Sequence, residues 1–125
     1  MLSTNLPPDS QTLEEINTSP TIPLTFVVQP DIKLYKLLAN LSADARWAVR
    51  KDAAQKLGKN GSPEALQGLL DALPKDPFWM VRCTIIQALE RSSDRRVIPL
   101  LREVAQSDGF QVVRSYAARA IERLS

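Results

Sequence analysis

Three aspartates, each followed six residues later by an arginine, form the most regular charged feature of the sequence. The pairs are Asp44 and Arg50, Asp76 and Arg82, and Asp108 and Arg114, at intervals of 32 residues. A carboxylate of this kind could act as a general acid or base. The same side chains could instead cap a helix and form charge-assisted hydrogen bonds. Because each aspartate precedes a predicted helix, we expect the pairs to serve structure rather than catalysis.

The sequence lacks histidine and has only one cysteine, two residue types that many enzymes use for catalysis or metal binding. The sequence has no histidine, which excludes the commonest general base, the usual metal ligand and the Ser-His and Cys-His nucleophiles. Cys83 is the single cysteine, so neither an internal disulfide nor a cysteine zinc site can form. We therefore expect a protein that is not an enzyme, holds no metal and works in the reducing cytoplasm.

Length and charge indicate one small domain preceded by a short extension. A chain of 125 residues suits a single modest core. Residues 1–29 carry a net charge of −3 and residues 30–125 carry +5, so the second part is mildly basic. The sequence shows neither an apolar run of membrane-spanning length nor a signal peptide, and we expect a soluble chain.

Residues 1–29 form a proline-rich extension whose prolines interrupt any long helix. A β-prone apolar run, residues 24–28, lies near its end but is too isolated to build a sheet. Two interpretations stay open. The extension is either a strap over the apolar flank of the following helices or a disordered arm that orders on a partner.

The rest of the chain, residues 30–125, reads as three repeats: 30–61, 62–93 and 94–125. In the first helix of each, apolar residues recur at i, i+3 and i+7, as at Leu34, Leu37 and Leu41. The second helices carry a similar stripe, which includes Ala54 and its equivalent Ala118. The predicted helices are 31–41, 45–58, 63–73, 77–91, 95–106 and 110–123. This predicts an all-α fold, a short right-handed α-solenoid of three helix pairs, since one pair alone cannot bury its apolar face.

Capping residues set the predicted helix boundaries. Ser62 followed by Pro63, and Asp76 followed by Pro77, each predict an N-cap with proline at the first helical position. Gly61 suits the left-handed turn that ends the preceding helix.

These residues and their spacing resemble the HEAT-repeat family, specifically its short-period subtype named after the phycobilisome lyases. The stretches that carry the resemblance are Asp44–Gly58, Gly61–Leu66, Asp76–Leu89 and Asp108–Ile121. The second copy departs from the pattern, because Ile85 and Ile86 replace small residues, and residues 1–29 match none of it. The resemblance implies that the aspartate and arginine pairs join neighbouring repeats in a hydrogen-bonded ladder.

A polar stripe along the second helices is the candidate binding surface, because it recurs where the core positions are apolar. Its predicted contact residues are Trp47, Lys51, Gln55, Trp79, Gln87, Arg91, Arg119 and Arg123. In HEAT folds this face lines the concave side, so the resemblance implies a basic groove edged by indoles. Two alternatives stay open. The tryptophans could pack between repeats while the helix dipole favours the C-terminal cations, or the stripe could be a nucleic-acid track, for which +5 is a weak charge.

Cys83 aligns with Lys51 and Ser115, so we expect its thiol to be partly exposed. A nearby Lys or Arg could lower its pKa and make it reactive. The simpler interpretation is a small residue tolerated on a helix face, and we assign it no chemistry.

The function that these observations favour is a non-catalytic scaffold, an adaptor or assembly factor, that binds an acidic segment of a partner protein. We expect no cofactor, no membrane association and no nucleic-acid partner. An alternative rests on the resemblance alone: a small bilin-lyase-like subunit, or a chromophore-handling chaperone for phycobiliproteins, that handles a bilin with a second HEAT chain. In a third interpretation Asp9, Glu14 and Glu15 of the extension dock in the basic groove and inhibit it.

Overall fold

Six α-helices joined by short turns make up the part of the chain that the computed structural model describes, residues 31–125. They are α1 (Ile32–Ala43), α2 (Trp47–Asn60), α3 (Pro63–Ala72), α4 (Trp79–Arg91), α5 (Ile98–Ser107) and α6 (Gln111–Leu124). A 3-10 turn, Arg95–Val97, precedes α5, so the helix predicted from residue 95 begins as a tighter turn. The proline-rich extension, and with it the three interpretations of residues 1–29, lies outside the described residues.

The helices pair within each repeat, and the repeats stack on one another. Helix α1 packs on α2, α3 contacts both α2 and α4, and α5 packs on α6. The second helices lie side by side in the order α2, α4, α6. This confirms the predicted all-α solenoid and gives it a continuous layer of second helices.

The core lies between the first and second helices and is most complete around α4. Leu57, Ile85, Ile86 and Leu89 are fully buried there, and each such side chain contributes about 1.5–3 kcal/mol through burial. Ala118, which occupies the same repeat position as Ile86, is exposed. The predicted stripe is wrong at that residue because none of the described helices packs against the far side of α6.

Two of the predicted boundary residues behave as expected. Ser62 is the N-cap of α3, and its Oγ accepts a hydrogen bond from the Ala65 N–H at 3.1 Å. Gly61 adopts a left-handed φ of 70° and donates its N–H to the Leu57 carbonyl oxygen at 3.3 Å. A residue with a Cβ would be strained in that conformation, so glycine is required by the turn.

The second helices begin later than predicted, by two residues for α2 and α4 and by one for α6. The N-cap of α4 is Phe78, not Asp76, and α2 starts at Trp47 rather than at residue 45. The reason is a local turn in which the Asp76 Oδ1 atom accepts a hydrogen bond from the Phe78 N–H at 3.0 Å. Asp44 accepts in the same way from the Arg46 N–H at 2.9 Å. Each aspartate therefore organises the turn before its helix instead of capping the helix itself.

Candidate functional site

A buried ion pair connects the first repeat to the second. Arg50 donates from Nε to Asp76 Oδ2 at 2.8 Å and from Nη2 to Asp76 Oδ1 at 3.2 Å. Its Nη1 atom donates to the carbonyl oxygens of Asp44 and Ala45 at 3.0 and 3.1 Å. The two side chains are only 10% and 3% exposed. The fork of bonds to Asp76 raises the pKa of Arg50 even though burial opposes its charge.

The same geometry recurs between the second repeat and the third. Arg82 donates from Nε and Nη2 to the two Asp108 carboxylate oxygens at 2.8 and 3.0 Å, and from Nη1 to the Asp76 carbonyl oxygen at 2.9 Å. Its guanidinium carbon lies 5.7 Å from the centre of the Phe110 ring. Burial disfavours the ionised Asp108, but hydrogen bonds from Arg82 and the Phe110 N–H outweigh it and lower the Asp108 pKa.

The two ends of this ladder differ from its middle. Asp44 accepts hydrogen bonds from Nε and Nη2 of Arg46 at 3.0 and 2.8 Å, which lowers the pKa of Asp44 to about 2. Arg114 donates from Nη1 to the Asp108 carbonyl oxygen at 2.6 Å and has no carboxylate partner within residues 31–125. All three aspartates are thus held by guanidinium groups, an arrangement suited to joining repeats rather than to proton transfer.

The tryptophans, predicted to edge a groove, contact phenylalanine rings of the next repeat. Trp47 meets Phe78 edge-on with ring centres 5.0 Å apart, and Trp79 stacks on Phe110 at 6.2 Å. Phe78 and Trp79 are 6.1 Å apart, so the four rings form one row at the N-terminal ends of the second helices. Trp47 is 44% exposed and Trp79 is half-buried. The indoles pack between repeats, which is the alternative left open by the sequence.

A cavity of about 600 Å³ lies across the C-terminal halves of α2, α4 and α6. We call it the basic groove, and five predicted contact residues line it: Gln55, Gln87, Arg91, Arg119 and Arg123. Lys59, which aligns with Arg91, lines it as well, whereas Lys51 is half-buried outside it. The lining residues Tyr116 and Glu90 were missed, because neither repeat position holds the same residue type in all three copies and both lie outside the predicted polar stripe.

The charges in the basic groove are only partly neutralised. Arg123 donates from Nη1 to Glu90 Oε2 at 2.8 Å, and this bond raises the pKa of Arg123. Arg119 lies over the Tyr116 ring, with its guanidinium carbon 5.1 Å from the ring centre. Lys59, Arg91 and Arg119 have no carboxylate partner among the described residues. The groove therefore presents three uncompensated cations, one from each second helix.

Cys83 is buried, with 6% of its surface exposed, so the prediction of a partly exposed thiol is wrong. Helix α4, which carries Cys83, lies between α2 and α6. Helices α2 and α6, which carry the aligned Lys51 and Ser115, each pack against only one other second helix, α4. The same repeat position is therefore covered only in the middle copy. Burial raises the pKa of the Cys83 thiol, which opposes formation of a reactive thiolate.

The stacked helix pairs and the groove across their second helices define an α-solenoid of repeats. A family model for HEAT repeats matches residues 34–122, and the chain belongs to the HEAT-repeat family. HEAT repeats are generally protein-interaction scaffolds. The comparison with curated proteins finds no match.

Two further findings concern the described residues alone. Residues 31–125 contain no group of three or more acidic or cysteine side chains arranged to hold a metal ion. No helix in that part of the chain combines the length and the apolar character needed to cross a membrane.

Proposed function

We propose that this HEAT-repeat chain is a non-catalytic adaptor or assembly factor that binds an acidic segment of a partner protein in the basic groove. One observation carries the proposal. Lys59, Arg91 and Arg119 reach the same cavity from three different helices, and none has a carboxylate partner in the described part of the chain. The helix dipole explains why a cation is favoured in the last turn of α2 and of α4. It explains neither the cavity nor Arg119, which lies a turn before the end of α6.

The remaining lining residues suit a peptide ligand. The side-chain amides of Gln55 and Gln87 can donate and accept hydrogen bonds, as recognition of a peptide backbone requires. Exposed ion pairs contribute only about 0.2–1 kcal/mol each, so the three cations favour reversible binding that weakens with salt. Glu90 places one negative charge in the groove, which suits a short acidic segment better than a continuous polyanion such as nucleic acid.

Three finer assignments belong to the same proposal. The 32-residue interval between equivalent aspartates supports membership of the short-period, phycobilisome-lyase-like HEAT subtype. The single cysteine, buried and unpaired, is compatible with a reducing compartment, and we place the function in the cytoplasm. Binding through the groove needs no cofactor.

The test compares two variants of the full chain that lose the same positive charge. The groove variant carries Lys59→Gln, Arg91→Gln and Arg119→Gln; the control variant carries Lys33→Gln, Arg95→Gln and Arg102→Gln, which replace exposed cations outside the groove. Each is used as bait in native cell extract, and the retained proteins are identified by mass spectrometry. We expect partners that the wild type and the control retain and that the groove variant loses. If both variants retain the same proteins as the wild type, the groove is not the binding surface.

A further inference from the structure

The groove also specifies how the acidic segment is spaced, an inference that rests on the proposed function. We propose that the basic groove selects a segment in the polyproline II conformation with a carboxylate at every third residue. The three uncompensated cations lie one per helix on α2, α4 and α6, which pack side by side. A ligand that crosses the three helices therefore needs one anionic side chain for each helix that it passes.

The distance between packed helices decides which backbone conformation meets that need. Axes of packed helices are roughly 8–10 Å apart. Polyproline II rises about 9 Å in one turn of three residues, so side chains three apart point in the same direction. An extended strand covers about 10 Å in three residues but turns those side chains to opposite faces. An α-helical ligand advances only about 5 Å per turn, so it would need two turns, about seven residues, between successive acids.

The polar lining of the groove fits the backbone of such a segment. Polyproline II makes no internal hydrogen bonds, so its carbonyl oxygens remain free to accept from a protein. Gln55 on α2 and Gln87 on α4 occupy equivalent repeat positions beside the cations and can donate to those oxygens. The Tyr116 ring beneath Arg119 adds an aromatic surface for the apolar residues between the acids. Aromatic-lined grooves are a known way of docking polyproline II segments in other folds.

The third cation lies off the line defined by Lys59 and Arg91. Arg123 is the residue on α6 that aligns with Lys59 and Arg91, but it is bonded to Glu90. Arg119, one turn earlier on α6, supplies the uncompensated charge instead. The displacement is about 6 Å along the helix, and the long arginine side chain must span it to meet the third carboxylate of a straight segment.

The experiment varies the spacing of acids at constant composition. Three nine-residue peptides of three glutamates and six prolines carry the glutamates at positions 1, 4 and 7, at positions 1, 3 and 5, or together in the centre. Affinity for the full chain is measured at low salt by NMR titration, which also reports the side-chain amides of Gln55 and Gln87. We expect the first peptide to bind about three- to tenfold more tightly, because misplaced glutamates lose one or two ion pairs. Arg91→Gln should abolish this preference, whereas Arg102→Gln should leave it unchanged.

Each other outcome overturns a defined part of the inference. If the wild type binds the three peptides with equal affinity and the groove variant does not bind them, the acidic ligand is supported but the proposed spacing of its acids is wrong. Failure of all three to bind, while groove-dependent partners are still captured from extract, would overturn the acidic polyproline II segment but not the scaffold. Failure of both experiments would overturn the proposed function as well.

Discussion

The two ends of the second helices carry similar charges in different environments. At the N-terminal ends, Arg50 and Arg82 lie against an aspartate of the next repeat and are largely buried. Near the C-terminal ends, Lys59 and Arg91 are exposed and face the basic groove without a carboxylate partner in residues 31–125. In this fold the arginines that pair with aspartates join the repeats to one another. The cations without a carboxylate partner are the ones available to a ligand.

Burial explains why the two ends should respond differently to substitution. A buried ion pair that loses one member leaves an uncompensated charge away from water, which costs several kcal/mol. An exposed cation that is removed leaves no such charge behind, and surface substitutions usually change stability by less than about 0.5 kcal/mol. Stability measurements therefore distinguish a structural charge from a binding charge.

The largest expected effect is at the buried pair. Arg50→Ala should lower the free energy of unfolding by about 3–5 kcal/mol, because it leaves the buried Asp76 side chain without its guanidinium partner. Arg114→Ala is the matched control, since Arg114 lacks a carboxylate partner in the described residues and donates only to a carbonyl oxygen. It should cost about 1 kcal/mol. Urea denaturation of both variants measures the difference. Similar losses would show that the ion pair between repeats contributes no more to the free energy of unfolding than a hydrogen bond to a carbonyl oxygen.

The next effect concerns the second pair and its dependence on pH. Asp108→Asn should cost about 1–3 kcal/mol at neutral pH, because the amide cannot accept both Arg82 hydrogen bonds. The pKa of Asp108 in the folded chain is lower than the value of 3.8 for an unperturbed aspartate. Its ionised form therefore stabilises the fold above that value, and the contribution disappears as pH falls through the lowered pKa.

The stability difference between wild type and Asp108→Asn should accordingly shrink below about pH 4. Urea midpoints measured from about pH 7 down to about pH 2.5 test this. Arg91→Gln serves as the control, because it removes a groove cation without breaking an ion pair of the described residues, and it should leave the wild-type pH profile unchanged. A constant difference for Asp108→Asn at all pH values would contradict the assignment of its lowered pKa to the ion pair.

A third effect tests the packing that holds the second helices together beneath the groove. A Cβ added at Gly58 of α2 would lie 2.8 Å from the Ala88 Cβ and 3.0 Å from its Cα. Overpacking costs about 1–3 kcal/mol, and the better helix propensity of alanine returns roughly 1 kcal/mol, so Gly58→Ala should lose up to about 2 kcal/mol.

The clash at Gly58 has two internal controls. Gly109→Ala adds the same methyl group where nothing lies within 4 Å, and it should change stability by less than about 0.5 kcal/mol. Ala88→Gly combined with Gly58→Ala restores the missing space and should recover part of the loss. If the double variant is no more stable than Gly58→Ala alone, the close approach of α2 and α4 is not the cause.

Periodicity predicted the helices and much of the core, because apolar residues that recur at helical spacing in three successive copies indicate one buried helix face. The same alignment failed at Cys83 and Ala118, where equivalent positions differ in burial. A repeat pattern tells which residues are equivalent but not how many neighbours each copy has. Burial depends on those neighbours, so the burial of a residue in the last repeat cannot be inferred from that of its equivalent in the middle repeat.

The candidate site was predicted in part for a related reason. The aligned polar residues Gln55 and Gln87 line the groove, whereas Trp47 and Trp79 precede it on the same helices but pack on the rings of the next repeat. Helical spacing placed the indoles on the polar stripe, but it could not show that Phe78 and Phe110 would meet them. Those contacts depend on the turn before each helix, which is longer than predicted by two residues before α4 and by one before α6.

The smallest expected effect is the one that separates the two ends of the second helices most sharply. The groove variant with Lys59→Gln, Arg91→Gln and Arg119→Gln should unfold within about 0.5 kcal/mol of the wild type, because no described carboxylate loses its partner. The same variant should lose the partners that depend on the groove. Urea denaturation and capture from extract, made on one preparation, measure both properties. A loss of stability comparable to that of Arg50→Ala would mean that these cations hold the fold, and the contrast between paired and unpaired charges would fail.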